Sequence, residues 1–275
     1  MSYTYLEYAH LPAGRRSRLA NLTQRSGGRL AILELAATPL TGPDAFANGE
    51  VSHRVFRLAA DASLSGVATS LGIAHTYFPD YAELLPLVLD LNGSYGAANG
   101  APGDYALQAT VEDALRLNAQ AVRFTVDLDG EHARSELDDF RTFRAEAHHF
   151  NLPVVLRAPS ATARRLDAAA AEQAMSLVHA ALHLGADMVE IPAADIAAGR
   201  EGRAGANDPA RRVVAMLPVL ARLEAAGDSQ AAVGEARAAL DLGCVGLVAG
   251  APLYVDRTYP EALALVCSLH EQLAV

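Results

Sequence analysis

Short aliphatic runs alternate along this chain with longer stretches in which apolar side chains recur every three or four residues. The first pattern suits strands buried on both faces and the second suits amphipathic helices, so the alternation predicts repeated strand–helix units around a parallel sheet. Strands are expected at 30–35, 65–70, 86–92, 121–127, 153–157, 188–191 and 245–249, with a further one near Pro218. The clearest helices fall at 111–118, 135–150 and 167–184, and Gly185 closes the last as a left-handed terminator would. Segment 211–226 is ambiguous: VVAMLPVL reads as strand, ARLEAAG equally well as helix. Eight such units close a barrel, so the expectation is an α/β chain folded over 1–275 as a single (β/α)8 TIM-barrel domain.

Composition removes chemistries from that barrel. All 22 basic residues are arginine, so side-chain imine formation and pyridoxal anchoring are excluded, and the α-amino group of Met1 is the only amine left. A formal charge of −10 argues against nucleic acid and anionic membrane surfaces as partners. No stretch approaches the ~20 apolar residues of a membrane helix and no basic-then-apolar leader opens the chain, so it reads as cytoplasmic. Cys244 and Cys267 lie in apolar contexts and read as buried free thiols.

The polar exceptions within the strands carry the functional signal. LVLDLN puts Asp90 and Asn92 on one face, TVDLD does the same for Thr125, Asp127 and Asp129, PVVLR ends in Arg157, MVEI carries Glu190, and ILEL adds Glu34. Side chains near the C-terminal ends of barrel strands point into the mouth that carries function in barrel enzymes. A charge buried alone there costs several kcal/mol, so each acid must be paired, neutralised, metal-bound or wet. Carboxylates sharing a mouth either raise one pKa, giving acid–base chemistry, or recruit a cation: Arg123, Arg157, or a divalent metal such as Mg or Mn. Spacing alone demands neither.

Other motifs add little. The loop 93–103, GSYGAANGAPG, reads as flexible, or as a lid with Tyr95 as a contact residue, and it matches neither a P-loop nor a dinucleotide fingerprint. His179 and His183 lie four apart on a helix without the HExxH pattern and read as a solvated face; His148 and His149 suit a helix C-terminus. His75 follows the second strand and is the one histidine expected near the mouth. No G-x-S-x-G elbow supports a hydrolase.

Taken in order, GADMVEI, AVRFTVDLDG, HHFNLPVVLRA and LDLGCVGLVAG resemble the archaeal-type class I fructose-bisphosphate aldolases, relatives of deoxyribose-phosphate aldolase, over most of the chain. The resemblance implies a barrel of class I aldolase type and a place in carbohydrate metabolism, and it admits a homo-oligomer or a pairing with a paralogous subunit. It also locates several departures. Glu190 stands where the family's GAD-hydrophobic-hydrophobic-Lys strand has its Schiff-base lysine, and Asp127 falls on the strand-four tyrosine that exchanges protons. Asp90 falls roughly on a third-strand lysine, and Leu33 and Glu34 are nearest to the first-strand aspartate. The glycine pair after strand seven and the glycine-arginine after strand eight, which together hold a phosphate in the family, appear here as Ala221-Arg222 and Gly250-Ala251, so that only Gly250 is kept.

Two functions follow as expectations. In the first, a small sugar- or keto-acid-like molecule binds a carboxylate-rich mouth, with altered lyase or proton-transfer chemistry. Asp127 or Glu190 moves the proton, Asp90 orients substrate or metal, Arg157 stabilises an oxyanion, and Glu34, Asn92, Thr125, Asp129, Arg222 and Gly250 contact the ligand. In the second, the chain is a non-catalytic pseudo-aldolase, a ligand-binding, regulatory or assembly subunit whose acids form structural ion pairs with arginines.

Overall fold

The computed structural model describes residues 11–35, 50–94, 105–159, 168–198, 209–223, 229–250, 253–254 and 257–273. Its strands are β1 (Leu30–Leu35), β2 (Gly66–Thr69), β3 (Leu87–Asp90), β4 (Asn92–Ser94), β5 (Tyr105–Leu107), β6 (Ala121–Thr125), β7 (Val154–Arg157), β8 (Met188–Pro192), β9 (Val219–Leu223) and β10 (Gly246–Ala249). All but β4 and β5 run parallel and close into an eight-stranded barrel, in which β10 pairs back onto β1 with Leu30 opposite Gly246. The fit is tight at that seam. A Cβ on Gly246 would meet the Leu30 carbonyl at 2.4 Å, so this strand position admits only glycine.

Alternation along each strand sorts the side chains. Outward residues such as Leu33, Val67, Phe124, Leu156 and Val189 pack against the surrounding helices. Inward residues Ile32, Ala68, Val88, Ala121, Val155, Met188, Leu220 and Val248 form a second apolar cluster, which takes in Leu19 and Leu22 from the helix Ala13–Thr23. That helix seals the N-terminal end of the barrel. Arg18 Nη1 donates to the Ala119 carbonyl at 2.7 Å, Asn21 Nδ2 to Gln120 Oε1 at 3.1 Å and Arg15 Nη1 to Asp187 Oδ1 at 2.8 Å, each just ahead of β6 or β8. His148 Nε2 lies 2.9 Å from Oδ2 of the same Asp187, so it has a hydrogen-bond partner there besides the helix terminus expected from sequence. With one end plugged, the C-terminal mouth is left for a site.

Turns into the strands share a device. Ser63, Asn118, Asn151, Gly185 and Gly243 all have positive φ and precede β2, β6, β7, β8 and β10 respectively. A left-handed residue ends the helix and redirects the chain inward.

The ambiguous segment resolves against the strand reading of VVAM. Residues Pro209–Met216 form a helix with Val213 and Val214 buried and Arg211 and Arg212 exposed, and Pro218 then precedes β9, which is buried throughout. The burial of Val213, Val214 and Leu217, spaced to share one helical face, decides the first half, and proline, which cannot donate to a helix, marks the change. Two other strands are shorter than expected. β6 stops at Thr125, leaving Asp127 and Asp129 beyond it, and β3 stops at Asp90 before the chain enters the antiparallel β4–β5 hairpin. Most of the loop 93–103, Tyr95 included, lies outside the described residues. Among the described residues no helix is long and apolar enough to cross a membrane.

Candidate functional site

Two residues beyond the inward apolar ring, the barrel interior becomes ionic. Glu34 follows Ile32, Asp90 follows Val88, Arg123 follows Ala121, Arg157 follows Val155, Glu190 follows Met188 and Arg222 follows Leu220. A step of two keeps each on the inner face. Three acids and three arginines thus share one layer with no net charge, and Arg123, Glu190 and Arg222 are essentially inaccessible to solvent.

Arg123 is the hub. Its Nε and Nη2 donate to the two oxygens of Asp90 at 2.5 and 2.9 Å, Nη2 also to Glu34 Oε1 at 2.9 Å, and Nη1 to Glu190 Oε2 at 2.9 Å. The other oxygen of Glu190 accepts from Arg222 Nη1 at 2.9 Å, and Arg222 also donates to the carbonyls of Ala158 at 2.9 Å and Pro159 at 2.8 Å. Arg157 Nη2 donates to Glu34 Oε1, while Arg157 Nε lies 3.1 Å from Glu190 Oε1 as an ion pair without hydrogen-bond alignment. Tyr254 closes the layer from outside, its hydroxyl donating to the Glu34 carbonyl at 2.5 Å.

Removing six charges from water is costly, and pairing must offset that cost in full. Burial pushes the Glu190 carboxyl up, but Arg123, Arg157 and Arg222 together outweigh it and hold the group at about 2. Glu34 is likewise lowered, burial being overcome by Arg157 and Arg123. For Arg123, burial is overcome by Asp90, Glu190 and Glu34, which leave the guanidinium charged well beyond its ordinary range.

An acid-stability prediction follows from Glu190. Its folded pKa of about 2 lies below the ordinary 4.5, so its contribution is complete above 4.5 and is lost as pH falls toward 2. That contribution is on the order of 3 kcal/mol for the shift alone. Denaturant midpoints measured from pH 6 to pH 2.5 are expected to fall steeply below pH 4.5; midpoints flat across the window would mean that Glu190 is not held ionised.

The remaining sequence candidates lie around this layer. Asn92 bridges the hairpin to β6: its Nδ2 donates to the Thr125 carbonyl and the Thr125 N–H donates to its Oδ1, both at 2.7 Å. Asp127 is buried, its N–H donates to Glu136 Oε2 at 2.7 Å, and its Oδ1 accepts from the Asp129 N–H at 3.3 Å. Asp129 also accepts from Gln173 on the helix Ala168–Leu184. Gly250 is buried and donates its N–H to the Leu223 carbonyl. Arg222 and Ala221 belong to β9 itself rather than to a loop after it, because the strand runs on to Leu223.

Asp127 and Glu190, read together from sequence as the centre, are separated in role: Glu190 joins the arginine layer, whereas Asp127 sits one step beyond the strand with Glu136. Glu136 on the helix Ala133–His149 and Tyr105 on β5 escaped the strand pattern entirely. His75, His179 and His183 are exposed on helices. Cys244 is buried and its thiol is pushed up to about 12 by that burial, as an inert core thiol would be. Among the described residues no group of three His, Cys, Asp or Glu side chains is arranged to hold a metal ion; the acids of the layer converge on Arg123, with which a divalent ion would compete for the same oxygens.

Comparison with known proteins adds a frame. The model of the DeoC/LacD family aldolases matches residues 38–253. The class 1 fructose-bisphosphate aldolase of Thermoproteus tenax is 30% identical over 182 residues, covering 63% of this chain and 68% of that protein. The enzyme of the same name from Halobacterium salinarum is 30% identical over 147 residues, and the match spans only about half of its length (52%). An archaeal fructose-1,6-bisphosphate aldolase solved with its catalytic Lys bound to a carbinolamine intermediate superposes with a TM-score of 0.73 at 23% identity, covering 94% of this chain and 100% of that one. The fructose-bisphosphate aldolase of Slackia heliotrinireducens gives 0.75 at 18% identity, with coverages of 97% and 89%. At such identities the superpositions speak for the barrel alone.

Proposed function

Since this chain belongs to the DeoC/LacD aldolase family, we propose that it is an aldolase-derived barrel which has given up imine chemistry and keeps its mouth for binding a small polar molecule. The observation that carries this reading is Glu190. By the likeness of GADMVE to the family's lysine strand it occupies the place of the reacting amine, and it is buried, ionised and held by three arginines. An amine in that place would add a positive charge among three others, so the arginine layer and the loss of lysine belong together.

Proton transfer from the mouth falls to Asp127 rather than to Glu190. A carboxyl held at about 2 is too weak a base to take a proton near neutrality. The arginines that neutralise the layer also make it a structural element, which favours a binding role over the aldol reaction of the relatives.

Borohydride reduction in the presence of fructose 1,6-bisphosphate or dihydroxyacetone phosphate tests the first half of the reading. Intact-mass analysis is expected to show no covalent adduct on any internal peptide, and an adduct mapped to the barrel mouth would overturn it. Thermal shift against sugar phosphates, hydroxy acids and keto acids, with and without Mg²⁺ or Mn²⁺, tests the second half, since a ligand raises the midpoint by mass action. Silence across the whole panel would remove the small-molecule reading.

A further inference from the structure

The ionic layer is neutral as a whole but uneven in access. The side chains of Arg123 and Arg222 are each 1% exposed, whereas that of Arg157 retains 15%. Arg157 also has the poorest partners. The Glu34 oxygen it reaches is shared with Arg123, the Glu190 oxygen it faces is shared with Arg222, and its Nε makes no hydrogen bond. A guanidinium so placed has more N–H donors than its two carboxylate partners engage, and its 15% exposure leaves room for a further acceptor.

The β4–β5 hairpin brings a second group to the same place. Asn92 clamps the hairpin to Thr125 through two hydrogen bonds, Thr125 lies opposite Arg157 in the β6–β7 register, and Ser94 pairs with Tyr105 at the far end of the hairpin. The Tyr105 phenol is partly buried, and the charges that act on it are those of Arg157, Asp127, Arg222 and Glu136. Burial, with Asp127 and Glu136, pushes the phenol up against the pull of the two arginines. It is therefore protonated near neutrality and able to donate.

We propose that Tyr105 and the outward edge of Arg157 form a recognition pair for a small 2-oxo or 2-hydroxy carboxylate, the carboxylate on Arg157 and the neighbouring oxygen on the Tyr105 hydroxyl. This rests on the reading of the mouth as a polar-ligand site and gives it a substrate class. A planar carboxylate matches the fork of one guanidinium. A phosphate ester does not fit as well. It carries up to two charges and calls for several donors, whereas only one arginine of the layer is accessible and the phenol already feels the negative charges of Asp127 and Glu136.

Calorimetric titration of the full chain with pyruvate, L-lactate, acetate, inorganic phosphate and fructose 1,6-bisphosphate tests the pair. Pyruvate and lactate are expected to bind about 10-fold more tightly than acetate, the gain of one hydrogen bond from Tyr105. Y105F should erase that advantage and leave acetate unchanged, while R157Q should abolish carboxylate binding; where R157Q does not fold, Y105F decides. Pyruvate binding unchanged in Y105F overturns the pair. Tighter binding of phosphate or bisphosphate than of any carboxylate overturns the substrate class but leaves the polar-ligand reading standing, and no heat with any of the five overturns both.

Discussion

Replacing Arg123 by methionine is expected to cost about 3–5 kcal/mol of stability, the range for breaking a buried ion pair from one side. Typical domains have only about 5–15 kcal/mol in all, so the melting temperature should fall by roughly 10 °C or more. The reason is geometric. Methionine fills much of the space, but the two oxygens of Asp90 lose the donors at 2.5 and 2.9 Å, and Glu34 and Glu190 lose one each. The pH dependence should also flatten. Without the guanidinium, Glu190 loses the first of the charges that hold its carboxyl down while burial still pushes it up, so less of its stability is left to lose as pH falls below 4.5. Denaturant melts are thus expected to show a smaller loss of stability from pH 5 to pH 3 in the variant than in the wild type. A variant as stable as wild type at neutral pH would show that the layer is not held by Arg123.

Glu190→Gln should be almost as damaging, about 3–5 kcal/mol, for the opposite reason. It leaves Arg123, Arg157 and Arg222 facing only Glu34 and Asp90, an excess of one buried positive charge. The direction separates the two functions considered from sequence. Neutralising a strained catalytic acid tends to raise stability, whereas removing a member of a compensated ion-pair layer lowers it. Urea midpoints of wild type and variant at pH 7 read the difference directly. A higher midpoint in the variant would return Glu190 to the role of a strained, reactive acid.

Sequence showed the barrel because parallel strands buried on both faces are nearly all aliphatic, and the helices between them carry a helical period. It faltered at 211–226, where the valines of the helix Pro209–Met216 have high strand propensity and only their burial pattern against the barrel distinguishes the two readings. The ionic residues were visible one by one as interruptions of aliphatic runs. Their partners were not. Whether Arg123 meets Asp90 from the next strand of the barrel or Glu190 from two strands away depends on closure and register, which a linear pattern does not encode. Asp127 looked equivalent to Glu190 because both interrupt apolar strands, but β6 ends two residues earlier, and there the Asp127 backbone N–H bonds Glu136 of a helix while its carboxylate accepts from Asp129. Tyr105 gave no signal at all, since a three-residue hairpin strand has no periodicity to read.

The most direct test of a charge-balanced layer in the place of the amine is a double-mutant cycle on Arg123→Met and Glu190→Gln, followed by urea unfolding at pH 7. Each single change leaves one uncompensated buried charge, of opposite sign, and the double variant restores neutrality. The destabilisation of the double variant is therefore expected to fall short of the sum of the two singles by about 1–3 kcal/mol. Strict additivity would contradict the account, because it would mean that the two residues do not stabilise one another and that Glu190 holds its place in the barrel for some other reason.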